Sequence, residues 1–142
     1  MQLADVNILI NAFRSEAPEH NRYRTWVEQL ISGNERYAMS ELILRAVVRI
    51  LTDRRIYDRP ETIEQALAYS GFLKAQPLCV VLTPGPRHWQ IFSHLCVEGS
   101  IRGRMISDAY HAALAIEHGC EWITADKHFA RFPGLRWRHP FE

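Results

Sequence analysis

Four carboxylates in this chain of 142 residues have the type and placement to do chemistry together: Asp5, Glu41, Asp108 and Asp126. Asp108 is the most conspicuous. It sits in Met105-Ile106-Ser107-Asp108-Ala109-Tyr110-His111-Ala112-Ala113-Leu114, among apolar helix formers, where Asp has poor propensity and a bare charge is costly. Such an acid wants a cation, whether Arg, Lys or a metal ion. Asp126 stands just past the apolar run Trp122-Ile123-Thr124. Four carboxylates gathered at one place repel, and without a counterion some would hold protons. A hard divalent cation removes the conflict, because magnesium takes oxygen ligands and typically uses only one or two carboxylates directly. A pair of such ions activates water and stabilises the leaving oxygen of a phosphodiester. No Cys/His cluster with zinc spacing competes with that chemistry.

Each acid has a plainer role open to it. Asp5 and Asp126 suit N-caps, and Glu41 suits the first turn of a helix, where it complements the helix dipole. Asp108 has possible partners in Arg104 at i−4 and His111 at i+3. The case for a shared site rests on four positions agreeing.

The elements that would bring them together are these. Leu3 to Asp5 reads as a very short first strand running into a helix through Phe13, and Arg14 to Asn21 as a polar loop with Pro18. His20 to Ile31 has helical spacing and is stopped by Gly33. Tyr37 to Met39 is a second strand. Ser40 is placed to cap a helix through Leu51, with Glu41 in its first turn. Pro60 opens a further helix, from about Glu61 to Ala75, and the two form a hairpin bearing Arg45, Arg49, Arg54, Arg55 and Arg59. Leu78 to Leu82 is a continuous apolar run, suited to a strand buried on both faces. The turn Thr83-Pro84-Gly85-Pro86 has no role legible from the sequence. Trp89 to Val97 is helical, as is the segment holding Asp108, which Gly119 ends. Glu121 to Thr124 is a strand, Lys127 to Phe132 a helical turn, and Leu135 to Trp137 an edge strand.

Strands alternate with helices along the whole length, which predicts one α/β domain over residues 1–142 with a short, mostly parallel central sheet flanked by helices in three layers. Ligand sites in such sheets lie beyond the carboxyl ends of the strands. Asp5, Glu41 and Asp126 each follow a strand. Asp108 lies near the start of the helix that leads back to the last of these strands. The topology therefore sends all four acids to one rim.

Composition sets bounds. The formal net charge of +1 excludes a protein that holds nucleic acid by overall charge, though not one with a local basic patch. Cys79, Cys96 and Cys120 are odd in number and form no Cys-x-x-Cys pair. With no signal peptide evident, they read as reduced thiols in a cytoplasm. No apolar run approaches the length of a membrane span.

The ordered set of motifs resembles the single-domain PIN-fold ribonucleases of the VapC toxin type. The matching elements are Asp5-Val6-Asn7-Ile8-Leu9, Ser40-Glu41 before a helix, Ile106-Ser107-Asp108-Ala109 with Ala112, Ala113 and Ala115, and Thr124-Ala125-Asp126-Lys127-His128-Phe129. The closing Phe132-Pro133-Gly134-Leu135-Arg136-Trp137 with Pro140 fits as well. The resemblance implies an endoribonuclease dependent on Mg2+ or Mn2+, the toxin of a type II toxin–antitoxin pair, with the four acids as catalytic and metal-binding residues. It implies that Asp5 and Asp108 ligate directly, that Glu41 ligates or orients the attacking water, and that Asp126 holds a bound water or a second ion. Asn7 and Thr124 match positions that support the acids by hydrogen bonding. A homodimer and a cognate VapB-type antitoxin, its tail beside the two-helix hairpin, are also implied.

Among the other residues, Arg102 and Arg104 just before the acidic helix are placed to hold an RNA phosphate, and Arg45 and Arg49 contact RNA phosphates or an acidic antitoxin segment, or form a solvated helix face. His111 reads as a supporting or core histidine rather than a general base. Trp89 and Tyr110 read as core or dimer aromatics, Trp137 as an edge-strand packing residue, and His128 and His139 as surface residues. Alternatives to the toxin are an RNA-processing nuclease of the same chemistry, a phospho-acceptor receiver, and a degenerate binding module. A receiver needs an acid at the end of its third strand, where this chain has Thr83-Pro84-Gly85. A degenerate module predicts a missing acid, and none is missing.

Overall fold

The structure, a computed structural model, describes residues 1–142. The chain runs β1 (Gln2–Ala4), α1 (Val6–Phe13), α2 (His20–Ser32), β2 (Tyr37–Ser40), α3 (Glu41–Leu51), α4 (Ile63–Lys74), β3 (Cys79–Leu82), α5 (His88–Gly99), α6 (Met105–Glu117), β4 (Glu121–Ile123), a 3-10 turn (Lys127–Arg131) and β5 (Trp137–Arg138). The five strands form one parallel sheet in the order β3-β2-β1-β4-β5, flanked by the six helices. This is the α/β architecture the alternation of elements predicts.

The order matters more than the count. From β1 the chain moves to β2 on one side, and it later returns to β4 on the other. The carboxyl end of β1 is therefore the switch point of the sheet, where diverging connections leave a crevice. Asp5 is the first residue beyond that end. The register places Leu3 opposite both Ala38 and Trp122, and Ala4 opposite Ile123. The Asp5 backbone N–H then continues the ladder to the Ile123 carbonyl at 2.8 Å.

The central strands are short but fully sealed: Leu3, Ala4, Ala38, Met39, Trp122 and Ile123 expose nothing. Helices pack against them. In α3 the buried stripe is Ile43, Leu44, Val47 and Leu51, at the spacing of a helix face. The α6 helix is buried nearly all round at Ala112, Ala113, Leu114 and Ala115, with Ala109 one turn earlier, because α5 also packs on it. Small side chains there let the helix backbone approach closely, and this fixes where Asp108, one turn in, can reach.

Two expectations need correction. The apolar run ending at Leu82 is not a doubly buried central strand. It is the edge strand β3, with Val81 exposed and Cys79 and Val80 half-buried. Periodicity shows that a run is apolar; it does not show the strand's place in the sheet. The start of α4 is set by Thr62, not by Pro60. Thr62 accepts from the Gln65 backbone N–H at 3.1 Å, and the Gln65 side chain accepts from the Thr62 N–H at 3.0 Å. This reciprocal capping box moves the helix start to Ile63. Ser40 caps α3 as expected, accepting from Leu42 N at 3.2 Å.

The unassigned turn at Thr83–Pro86 has a clear physical role. The Glu117 carboxylate, at the end of α6, accepts from the backbone N–H groups of Gly85 at 2.7 Å and Arg87 at 2.9 Å. Arg87 Nη2 donates back to the Glu117 carbonyl, and a ring nitrogen of His118 lies 2.9 Å from the Thr83 carbonyl. Partial burial raises the Glu117 carboxyl, but the two N–H bonds outweigh it and hold the group below its usual range. The prolines leave few free N–H groups in the turn, and Glu117 takes two of those that remain.

Candidate active site at the carboxyl edge of the sheet

Asp5 is the anchor. It is 7% exposed. Its Oδ1 accepts from Val6 N at 2.7 Å, so it caps α1. Its Oδ2 accepts from Thr124 Oγ1 at 2.6 Å and from Asn7 Nδ2 at 3.1 Å. Thr124, fully buried, in turn accepts from the Asp126 N–H at 3.0 Å. That bond occupies a hydroxyl lone pair and leaves its proton for Asp5. Three donors do not offset the surroundings: burial, aided by the charges of Asp108 and Asp126, pushes the Asp5 carboxyl up to about 6.

Asp108 lies in the first turn of α6, and none of its carboxylate oxygens takes part in a hydrogen bond or ion pair; neither the Arg104 nor the His111 pairing forms. Burial and then the charge of Asp126 raise its carboxyl, with Arg131 and His128 pulling the other way. Asp126 caps the 3-10 turn through His128 N at 2.9 Å, and its Oδ1 lies 2.8 Å from His128 Nδ1. His128 is exposed, as expected, and is also a direct partner of the acid. The capping roles of Asp5 and Asp126 and their mutual electrostatic strain coexist, because one carboxylate has two oxygens to give.

Glu41 stands apart. It is the first residue of α3, largely exposed, and its carboxylate pairs with Lys74 at the end of α4. The Lys74 hydrogen bond and charge hold it below the usual carboxylate range. As the side chains stand, no three acidic, His or Cys side chains converge tightly enough to ligate one ion. The topology brings Asp5, Asp108 and Asp126 within reach of one another's charge, while Glu41 is held by Lys74 and does not line the cleft.

The donor set nevertheless suits a hard cation. It offers only oxygens. Neither Asp5 nor Asp108 forms an ion pair, and the charges of Arg131 and His128 only partly offset what raises Asp108. The buried Asn7 Oδ1, beside Asp5, has no donor at all, and Asn7 Nδ2 is committed to Asp5, which fixes the amide's orientation. Hydration water carried by a cation would satisfy that oxygen.

A cleft of about 410 Å3 opens over Asp5 and Asp108, between α3 and α6. Arg45, Arg49, Leu42, Ala46 and Ile50 line it from α3, and Ile106, Ser107, Tyr110 and His111 from α6. The cationic wall is therefore Arg45 and Arg49. Arg102 and Arg104, favoured from their nearness in sequence to Asp108, do not line it. A roomier hollow of about 570 Å3 lies at the opposite, amino end of β1 and β4, lined by Gln2, Gln29, Arg36, Glu121 and Arg136. It contains none of the four acids.

Fold and rim together define a class: a parallel α/β sheet with carboxylates from separate segments gathered at its switch point, the architecture of PIN domains. Residues 3–135 match the family model described as PIN domain. Ribonuclease VapC43 of Mycobacterium tuberculosis is 37% identical over 142 residues, covering 100% of this chain and 97% of that protein. Ribonuclease VapC25 of the same organism is 35% identical over 140 residues, 99% of each chain. The chain belongs to the PIN-domain VapC ribonuclease family. Solved structures agree on the fold: VapBC2 from Rickettsia felis, bound to a promoter DNA fragment, superposes with a TM-score of 0.72 at 18% identity, covering 97% of each chain. Mycobacterium tuberculosis VapC20, described as a Sarcin-Ricin loop cleaving toxin, gives 0.68 at 14% identity over 96% of this chain and 99% of that one.

Proposed function

We propose that this chain is a divalent-cation-dependent endoribonuclease and the toxin of a type II toxin–antitoxin pair. The observation that carries the reading is the buried Asp5 carboxylate at the switch point, raised to about 6 and facing two further acids from distant segments. Membership in a family of proteins named as ribonucleases supports the substrate class. Structural neighbours that are toxin–antitoxin complexes, among them one from Klebsiella pneumoniae, support an antitoxin partner.

Asp5 and Asp108 would hold the cation directly, with Asp126 and a reoriented Glu41 completing the set. Bound there, Mg2+ or Mn2+ would supply positive charge against the phosphate and acidify water for attack on phosphorus. Thr124 and Asn7 hold Asp5 at a fixed rotamer, so its free lone pairs face the cleft. Arg45 and Arg49, one turn apart on the facing wall, would take the phosphates flanking the cut and hold the RNA strand along α3. His111 is pushed down to about 4 by burial and by nearby His88, so it stays neutral at physiological pH and is no general base for the attacking water. The chain would act as one domain in the cytoplasm, as a homodimer. No helix is long and apolar enough to cross a membrane.

The test is cleavage of total bacterial RNA by the purified chain with Mg2+ or Mn2+, with EDTA, and with Asp5→Asn or Asp108→Asn. Activity should need the cation and fall at least about a hundredfold in each variant. Activity that persists in EDTA, or in both variants, would overturn the reading. Growth arrest on expression, lost with Asp108→Asn and relieved by a co-expressed product of a neighbouring reading frame, tests the toxin role. Arrest that survives Asp108→Asn would count against it.

A further inference from the structure

His111 is built into the cleft in a way that the four acids do not require. Its ring stacks on Trp122 with centroids 5.9 Å apart and planes 14° from parallel. Trp122 is fully buried in the central sheet, so the stack fixes the plane of the imidazole. Nδ1 is sealed from solvent and has no hydrogen-bond partner. Nε2 also has no partner in the protein, but it is not sealed, and His111 lines the cleft shared with Asp5, Asp108, Arg45 and Arg49. A neutral imidazole has one N–H and one lone pair. A buried N–H without an acceptor is the rarer orphan. The proton therefore belongs on Nε2, with the bare lone pair at the sealed Nδ1.

We propose that His111 is a substrate-positioning residue whose Nε2–H donates to a non-bridging phosphate oxygen of RNA held in the α3–α6 cleft. The inference rests on the nuclease reading of the same cleft. The chemistry of the wall favours this role. A cationic side chain beside Asp5 and Asp108 would pair with the acids and occupy them. A neutral donor on a fixed ring grips an anionic ligand without competing for the carboxylates. Burial and the neighbouring His88 keep the ring uncharged, so its donor count does not change around neutrality. Arg45 and Arg49 hold the strand from the opposite helix, and His111 supplies from the α6 side a donor whose ring is fixed by the stack on Trp122.

The experiment compares wild type with His111→Phe, which keeps an aromatic ring over Trp122, and His111→Gln, whose side-chain N–H can reach the place of Nε2–H. Initial rates on total bacterial RNA in Mg2+ give KM and kcat, and filter binding of the same RNA in EDTA gives affinity without turnover. His111→Phe should raise KM and weaken binding about tenfold, the worth of one hydrogen bond to a charged group, with kcat within about twofold. His111→Gln should recover most of the loss. Nitrogen-15 spectra should show the Nε2–H tautomer in the free chain. Phe binding as tightly as wild type, Gln as weak as Phe, or an Nδ1–H tautomer would each overturn the proposal, even where wild type cleaves RNA. A wild-type chain that neither binds nor cleaves RNA would overturn the nuclease reading and this inference with it. Melting curves guard the comparison: a Phe variant that unfolds early leaves the Gln variant and the tautomer to decide.

Discussion

Thr124 donates its hydroxyl proton to Asp5 at 2.6 Å, across 119 positions of sequence. The hydroxyl can point nowhere better, because the Asp126 N–H already donates to its oxygen. One side chain therefore couples the backbone beside Asp126 to the carboxylate of Asp5. Thr124→Val keeps the shape and removes both bonds. We expect it to cost about 1–3 kcal/mol of stability in chemical denaturation. Cation-dependent cleavage should fall about 10- to 100-fold, the usual penalty for losing a group that orients a ligand. Thr124→Ser should restore most of both. Equal losses for Val and Ser would show that packing, not the hydroxyl, is what the site needs.

Asp5 makes stability depend on pH in a definite direction. Its carboxyl rises from 3.8 to about 6 on folding, so between those values the folded chain holds a proton that the unfolded chain has released. Stability is highest below the unfolded value and falls as pH rises to about 6, by about 3 kcal/mol in all. Other acids titrate too, so the measurement is the difference between wild type and Asp5→Asn in urea denaturation from pH 4 to 8, in EDTA. That difference should change by roughly this amount between about pH 4 and 6 and then level off.

Added Mg2+ or Mn2+ should reverse that loss. A ligand that binds only the folded, ionised site stabilises by mass action. The melting temperature of wild type should rise with cation at pH 7.5 and hardly move at pH 4, where Asp5 carries a proton. A rise of equal size at both pH values would place the bound cation elsewhere.

On the proposed reading, Lys74 and a bound cation would compete for Glu41. The ion pair is exposed, so it contributes little to stability, and Lys74→Met should leave the melting temperature nearly unchanged. The same change frees Glu41 to turn toward the acidic rim. Half-saturation for Mg2+ in the cleavage assay should fall about two- to fivefold, since an exposed ion pair restrains its partners only weakly. A rise instead would mean that Lys74 assists the reaction rather than restraining Glu41.

Glu117 holds the turn before α5 by two backbone N–H groups, far from the acids. Glu117→Ala should cost about 1–3 kcal/mol by leaving those groups unpaired. Gly85→Ala should also destabilise, because an added Cβ would lie 2.7 Å from Glu117 Oε2, 3.1 Å from its Cδ and 3.2 Å from Oε1, against the carboxylate that makes the clamp. Both variants should cleave RNA normally once folded, which separates this structural clamp from the site.

The alternation of short apolar runs with helical segments was enough to place Asp5, Glu41 and Asp126 after strand ends and Asp108 near a helix start, because strand and helix periods are local properties of the chain. The caps at Ser40 and Asp5 were legible for the same reason. Other features depended on distance in space. Lys74 and Glu41 meet only because α3 and α4 fold back on each other, and nothing within a few residues of either signals it. The apolar run Cys79–Leu82 reads the same at the edge of a sheet as at its centre. Arg45 and Arg49 line the cleft because α3 faces α6 across it, whereas Arg102 and Arg104 lie in the loop before α6 despite their closeness in sequence to Asp108. Residue types and local periodicity are enough to say which residues carry charge and roughly which end of which element they occupy. Which of those charges lie buried without an ion pair follows from the packing, since desolvation depends on what the rest of the chain lays over them.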